Sequence, residues 1–265
     1  LIGPGANLQS TDNWGGTPLH RAAMHGQTEI IGMLIDLGAD MNAINNCGMT
    51  PLHYAANYGK DRVIEVLIEG GVNVNISDKR GCTPLHEAAE NGHEETAQLL
   101  FQRGANLDAT NKNENTPLHE AACNGEVSSV QVLIAAGACV NTINNYGQTP
   151  LHSAASNGHI GTVKVLINAG IDLNAIDHNG RSALQLAVTK GHTEITEILC
   201  NDKNDQIIKR TRLKLATRNS EADQYLVNRR TIFNMNNEER KCTALHESVW
   251  NGEVNALRVL VNAGS

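Results

Sequence analysis

Short apolar stripes alternate with turn-forming residues along this chain, and the alternation returns at a constant interval. In one copy of the pattern, Leu52, Ala55 and Ala56 form a stripe of small and apolar residues at helical spacing. A second stripe follows at 63–68, and Gly59 lies between the two. Glycine readily adopts the left-handed conformation that often ends a helix. The pattern therefore predicts two short helices joined by a tight turn.

The residues that flank these stripes predict where each helix begins and ends. Thr50 has a side-chain oxygen suited to a helix N-cap, and Pro51 follows at the first helical position, where its missing N–H has no cost. Asparagine and glycine at 45–48 predict a hairpin-like loop before the first helix, and two glycines at 70–71 end the second helix. Both helices are shorter than the roughly 12–15 residues that an isolated helix needs, so the unit depends on packing against its neighbours.

One tetrapeptide, Thr-Pro-Leu-His, marks the start of the first helix in five copies that lie 33 residues apart. The copies begin at Thr17, Thr50, Thr83, Thr116 and Thr149. A degenerate sixth copy occupies 182–185, and a further copy begins at Thr243 after a longer gap. The 33-residue period and the Thr-Pro-Leu-His-x-Ala motif resemble the ankyrin-repeat family. The resemblance implies an all-α fold, an ankyrin-repeat solenoid of stacked helix-turn-helix units with β-hairpin loops.

The repeat boundaries divide the chain into four predicted segments. Residues 1–11 match the end of a preceding repeat, and residues 12–200 hold six regular repeats. Residues 201–237 are irregular, and we interpret them as a degenerate repeat, although a 28-residue insertion is an alternative that the spacing leaves open. Residues 238–265 form a final truncated repeat. Because both ends cut through a repeat, we expect the chain to be a piece of a longer protein.

Charge and composition narrow the classes of partner and compartment. The net charge is −7 and residues 201–241 are basic, so the acidic excess lies in the repeats and nucleic acid is not an expected partner. The chain has no run of about 18 apolar residues, so direct membrane insertion is not expected either. Its six cysteines form no paired motif, which favours free thiols in an intracellular, reducing compartment, cytoplasmic rather than nuclear. We expect a monomer.

The eleven histidines are the residues that most suggest catalysis or metal binding. Six of them are the motif histidine, namely His20, His53, His86, His119, His152 and His246. In the family that the chain resembles, this histidine is structural and ties the first helix to the adjoining loop. The sequence contains no phosphate-binding loop, no Gly-x-Ser-x-Gly elbow and no His-Glu-x-x-His motif. We therefore expect no enzymatic activity, no metal and no cofactor.

The resemblance also implies where a partner binds, because ankyrin repeats usually present a concave face made of hairpin tips and first helices. The candidate partner-binding residues are Trp14, Met49, Tyr54, Tyr58, Lys79, Arg80, Glu87, Glu90, Lys112, Glu120, Tyr146 and Arg181. We expect stacking to gather Trp14, Tyr54 and Tyr58 with Met49 into one apolar patch, which is typical of an interface anchor. The alternative is that Trp14 packs against a preceding repeat or that Tyr54 is partly buried.

Charged candidates follow the aromatic ones in the next two repeats. We expect Glu87, Glu90 and Glu120 to form an acidic strip on the first helices. The basic residues at the neighbouring tips are Lys79, Arg80 and Lys112. A partner segment with an apolar anchor and a basic stretch would suit this surface, while a solvated charged face is the alternative.

The leading hypothesis for function is a protein–protein interaction module, a scaffold or adaptor that binds another protein or a peptide segment. An alternative is an elastic or tethering cytosolic segment of a larger channel or toxin-like protein. A third possibility makes the chain a substrate, because several loop asparagines resemble those that are hydroxylated in this family. These are Asn42, Asn75, Asn141 and Asn174.

Overall fold

The computed structural model describes residues 7–201 of the chain. Three of the predicted segments reach beyond this range. Residues 1–6 of the partial repeat, the irregular segment 201–237 after its first residue, and the truncated repeat 238–265 lie outside the described residues.

The first unit of the chain, residues 1–139, contains eight helices in its described part. The first helices of its four repeats are α1 (Pro18–Met24), α3 (Pro51–Asn57), α5 (Pro84–Glu90) and α7 (Pro117–Asn124). The second helices are α2 (Thr28–Asp36), α4 (Asp61–Glu69), α6 (Glu94–Gln102) and α8 (Val127–Ala136). The first helices pack side by side in chain order, and the second helices pack side by side in a row behind them.

The second unit, residues 140–265, repeats this arrangement in the part that the structure describes. Its helices are α9 (Pro150–Asn157), α10 (Ile160–Asn168), α11 (Ala183–Thr189) and α12 (Thr193–Asn201). The first helices α9 and α11 pack together, as do the second helices α10 and α12.

The motif leucine forms the centre of the core in every regular repeat. The leucines Leu19, Leu52, Leu85, Leu118 and Leu151 are all buried. Two alanines follow on the same helix, such as Ala55 and Ala56, and both are fully buried where neighbouring first helices meet. Small side chains at this contact let the helices approach closely. The predicted fold class, an all-α stack of helix-turn-helix units, is confirmed.

Hydrogen-bonded turns shape the loops that precede the first helices. The Asn45 N–H donates to the Met49 carbonyl at 3.0 Å, and the Gly48 N–H donates back to the Asn45 carbonyl at 2.9 Å. These two bonds fold residues 45–49 into a hairpin-like turn. Within residues 7–201 the loops contain no continuous β-strand. They contain an isolated antiparallel β-bridge between Ile176 and Ser182.

Main-chain bonds also join the tips of successive loops. The Asn46 N–H donates to the Trp14 carbonyl at 2.9 Å, and the Lys79 N–H donates to the Cys47 carbonyl at 3.0 Å. The Lys112 N–H continues the series. These bonds hold the tips in register without using any side chain.

Two glycines are required by close approaches between repeats. Gly59, just after α3, has φ +62°, and a Cβ there would lie 2.8 Å from Nδ1 of His93. Gly48, at a loop tip, has φ +79°, and a Cβ there would lie 2.8 Å from the Lys79 nitrogen. A side chain at either position would meet both backbone strain and the next repeat.

In four described repeats the motif histidine, His20, His53, His86 or His152, links its first helix to the loop of the following repeat, which confirms its predicted structural role. Nδ1 of His53 accepts from the Thr50 N–H at 3.2 Å and from the Thr50 hydroxyl at 2.9 Å. Its Nε2–H donates to the Cys82 carbonyl at 3.0 Å. Burial lowers the pKa of His53, so the ring stays neutral and both nitrogens keep these roles. In α11 Gln185 replaces the histidine, and its amide oxygen accepts from the Ser182 N–H at 2.9 Å.

Candidate functional site

Most of the predicted partner-binding residues lie together in the first unit. Nine of them are fully or partly exposed, on the first helices or on the loops before them, and we call them the first-helix surface. They are Trp14, Met49, Tyr54, Tyr58, Lys79, Arg80, Glu90, Lys112 and Glu120. The remaining candidate of this unit, Glu87, is buried.

Trp14 is the most exposed large apolar residue of the first unit's described part, with 66% of its surface accessible. It lies at the tip of the first loop, where the Arg21 guanidinium lies 5.3 Å from the centre of its ring. Arg21 is itself held by Asp12, whose Oδ2 accepts from the arginine Nε at 2.8 Å. The indole is therefore fixed by a cation–π contact and still presents one face to solvent.

Two tyrosines, Tyr54 on α3 and Tyr58 at its C-cap, form the second aromatic group of the first-helix surface. The ring centroids of Tyr54 and Tyr58 lie 6.5 Å apart. Tyr54 is half-buried, its ring edge-on to His20 and its hydroxyl accepting from the Asn45 amide at 3.0 Å. Tyr58 is 43% exposed. One tyrosine is thus anchored in the repeat stack, and it supports the other at the surface.

The prediction that Glu87 is exposed on an acidic strip is wrong. Only 1% of its surface is accessible. Its carboxylate forms an ion pair with Arg80 and also accepts from the Asn57 amide at 2.8 Å. Burial raises the pKa of Glu87, and the charge of Arg80 offsets part of that rise. Glu87 is enclosed because a cation from its own loop and an amide from the preceding helix both reach its carboxylate.

Arg80, predicted as a basic residue at the tip, forms ion pairs that connect its loop to α5. Its Nε lies 3.1 Å from Oδ2 of Asp78, its NH2 binds Glu87, and its NH1 lies 4.0 Å from Oε2 of Glu90. The side chain remains 55% exposed, so one edge of the guanidinium faces solvent while its charge is already balanced.

The acidic strip therefore consists of two accessible carboxylates rather than three. Glu120 accepts through Oε1 from the Asn111 amide at 2.8 Å and from the Asn115 amide at 3.1 Å. Glu90 is partly exposed, and burial together with the negative charge of Glu120 raises its pKa. Helices α5 and α7 pack side by side, so the two carboxylates lie on neighbouring helices.

The remaining tip lysines of the first-helix surface are exposed. Lys79 donates through Nζ to the Asn46 carbonyl at 2.9 Å, so its charge lies over the loop of the preceding repeat. Lys112 is exposed at the next tip.

Two candidates belong to the second unit. Tyr146 is exposed at a loop tip. Arg181 donates to Oδ2 of Asp177 through Nε at 3.0 Å and through NH2 at 2.7 Å. Burial of Asp177 opposes its ionisation, but these bonds prevail and lower its pKa. Arg181 thus resembles Arg80 in being paired within its own loop.

Sequence reasoning missed two contacts that shape the first-helix surface. Asn57 binds the Glu87 carboxylate, and Arg21 holds the Trp14 ring. The sequence does indicate that Asn57 and Glu87 could meet, because Asn57 lies 30 residues before Glu87, close to one repeat length. Neither role follows from residue type alone.

The rest of the described chain offers no other kind of site. Within residues 7–201 no three His, Cys, Asp or Glu side chains are grouped so that they could hold a metal ion. The helices described in the two units include none that is long and apolar enough to span a membrane.

Comparison with known proteins adds one match. The family model described as ankyrin repeats (three copies) matches the sequence over residues 1–209. The individual matches overlap and cover residues 1–78, 19–111, 55–144, 103–177 and 139–209. No curated protein matches the chain.

Proposed function

The chain belongs to the ankyrin-repeat family, and on this premise we propose that it is an interaction module that acts as a scaffold or adaptor. Repeats of this family generally mediate protein–protein interactions and are generally non-catalytic. The partner, a protein or a peptide segment, binds the first-helix surface of the first unit.

The observation that carries this proposal is a pair of exposed, positioned aromatic side chains. Trp14 is held by Arg21, and Tyr58 rests beside the anchored ring of Tyr54. Aromatic residues that are fixed before binding lose little conformational freedom in a complex, and they are the usual anchors of protein interfaces. Charged groups flank both, as expected at the rim of such a site.

The proposal is tested with the double variant Trp14→Ala/Tyr58→Ala. Proteins retained by the wild-type chain are identified by affinity purification from its native cells, and the affinity of each purified partner is then measured for wild type and variant. We expect the double variant to bind about tenfold or more weakly, because two anchors are lost.

The matched control is Phe101→Ala, which removes an aromatic residue with 39% exposure from α6, outside the first-helix surface. It should bind like wild type. A double variant that keeps its circular dichroism spectrum and its wild-type affinity would refute the proposed site.

A further inference from the structure

The charged side chains of the first-helix surface are not paired equally well in all of its repeats. Arg21 is paired with Asp12, and Arg80 is paired with both Asp78 and Glu87. These pairs are internal to their own repeats, so a partner does not need to compensate them.

On the first helices of the third and fourth repeats, α5 and α7, two partly exposed carboxylates have weak cationic compensation, while the cations Lys79 and Lys112 lie at the loop tips. Glu90 has only a distant contact with Arg80, at 4.0 Å, and the carboxylate bonds of Glu120 come from neutral amides. The charge of Glu120 contributes, after burial, to the raised pKa of Glu90. A cation placed near both would relieve that repulsion and replace lost hydration.

The tyrosine pair lies on the helix next to these carboxylates. Helix α3, which contains Tyr54 and is followed by Tyr58, packs against α5, and α5 packs against α7. Packed helices lie about 8–10 Å apart, so the space between Glu90 and Glu120 is roughly 10–15 Å from the tyrosines. An extended peptide advances about 3.3 Å per residue, so this distance corresponds to about three to five residues.

We infer that the partner is an extended peptide segment in which an apolar or aromatic residue lies about three to five positions from a lysine or arginine. The apolar residue contacts Tyr58 beside Tyr54, and the basic side chain lies between Glu90 and Glu120. This inference rests on the proposed function and adds the chemistry of the partner. The apolar contact supplies most of the affinity, and the cation selects among apolar segments.

The experiment is selection of random 12-residue peptides displayed on phage against the immobilised wild-type chain. Parallel selections use Glu90→Gln/Glu120→Gln and Tyr58→Ala. The matched control is Glu69→Gln/Glu95→Gln, which removes the same charge from exposed positions on α4 and α6. Thermal unfolding of each variant verifies that the fold is kept. The enriched peptides are then synthesised, and their affinities are measured by fluorescence anisotropy.

We expect the wild type and the control to enrich an apolar residue three to five positions from Lys or Arg. Binding of such a peptide should weaken about tenfold in Glu90→Gln/Glu120→Gln and should weaken with added salt, as for a charge-assisted contact. Selected peptides without a basic residue, or with equal affinity for the glutamine variant, would overturn the inference.

The two proposals fail in different ways. If the selected peptides lose binding with Tyr58→Ala but are indifferent to Glu90→Gln/Glu120→Gln, the interaction surface stands and the basic partner is refuted. If every enriched peptide binds Tyr58→Ala as well as wild type, or if none is enriched, the first-helix surface is not the binding site and both proposals fall.

Discussion

Helices α5 and α7 begin with the same six residues, Pro-Leu-His-Glu-Ala-Ala, yet the glutamate behaves differently in each. In α5 it is Glu87, which is buried and ion-paired. In α7 it is Glu120, which is partly exposed and, within residues 7–201, accepts hydrogen bonds from the neutral amides of Asn111 and Asn115 in its own loop. Identical local sequence therefore gives the same helix start and two different electrostatic environments.

The difference arises from residues outside the shared segment. Arg80 enters the Glu87 site from the loop, and the corresponding loop residue one repeat later is Asn113. The preceding helix contributes Asn57 to Glu87, and the corresponding residue next to α7 is Glu90. A buried carboxylate needs such partners, so their loss leaves the second glutamate at the surface. In a repeat array, the neighbours decide what a side chain does.

The motif histidine is common to α5 and α7. Its protonation should have the largest effect on the free energy of unfolding. Because burial lowers the pKa of His20, His53, His86 and His152, the unfolded chain binds more protons than the folded chain below about pH 6.5. Stability is therefore fully present above this pH and falls as the pH drops towards the lowered values. Each histidine contributes up to about 1.4 kcal/mol per pH unit. Urea unfolding at pH 7 and pH 5 measures the loss.

The control variant is His53→Gln, the substitution that α11 already contains as Gln185. A glutamine makes the cap bond without titrating, so the pH dependence of the unfolding free energy should become shallower. Equal slopes in wild type and His53→Gln would contradict the histidine origin of the acid sensitivity.

Removing the ion pair that distinguishes α5 from α7 should have the next largest effect on the free energy of unfolding. Arg80→Met removes the cation from Glu87 and leaves a buried carboxylate with only the Asn57 amide. We expect a loss of about 2 kcal/mol in unfolding free energy, less than the roughly 3–5 kcal/mol for a fully buried pair, because the guanidinium is half-exposed. Chemical denaturation at pH 7 measures it.

The double variant Arg80→Met/Glu87→Gln separates charge from packing. A neutral amide no longer needs the cation, so most of the lost stability should return. If the double variant is as unstable as Arg80→Met alone, the arginine acts through packing or through Asp78 instead.

The smallest effect should come from neutralising each glutamate of the shared segment. Burial raises the pKa of Glu87 despite Arg80, so the folded chain favours a neutral group there. Glu87→Gln should therefore stabilise the chain by up to about 1 kcal/mol at pH 7, while Glu120→Gln should change stability by less than about 0.5 kcal/mol. Thermal unfolding of both variants makes the comparison.

The gain in stability from Glu87→Gln should decrease as the pH falls, because the wild-type glutamate then becomes neutral too. An advantage that is independent of pH would place its cause in packing rather than charge.

The sequence was sufficient for the helices and the motif histidine, because threonine, proline and glycine act on their own or adjacent residues. It was not sufficient for Glu87 or Arg80. Their environment depends on contacts between loop and helix and between neighbouring repeats, including one that links residues 30 positions apart. Residue type predicted an exposed charge in both cases, and only three-dimensional pairing reveals that they neutralise each other.

The main-chain bonds between loop tips have a consequence for how binding specificity changes over time. They fix the positions of the tips whatever side chains are present, so a residue such as Trp14, Cys47 or Lys112 can be exchanged without altering the register of the repeats. Arg80 and Gly48 are exceptions, since replacing Arg80 would cost stability and a side chain at Gly48 would meet the next repeat. Other side chains at the loop tips can be substituted during evolution or randomised in a library. New partners then become accessible one substitution at a time.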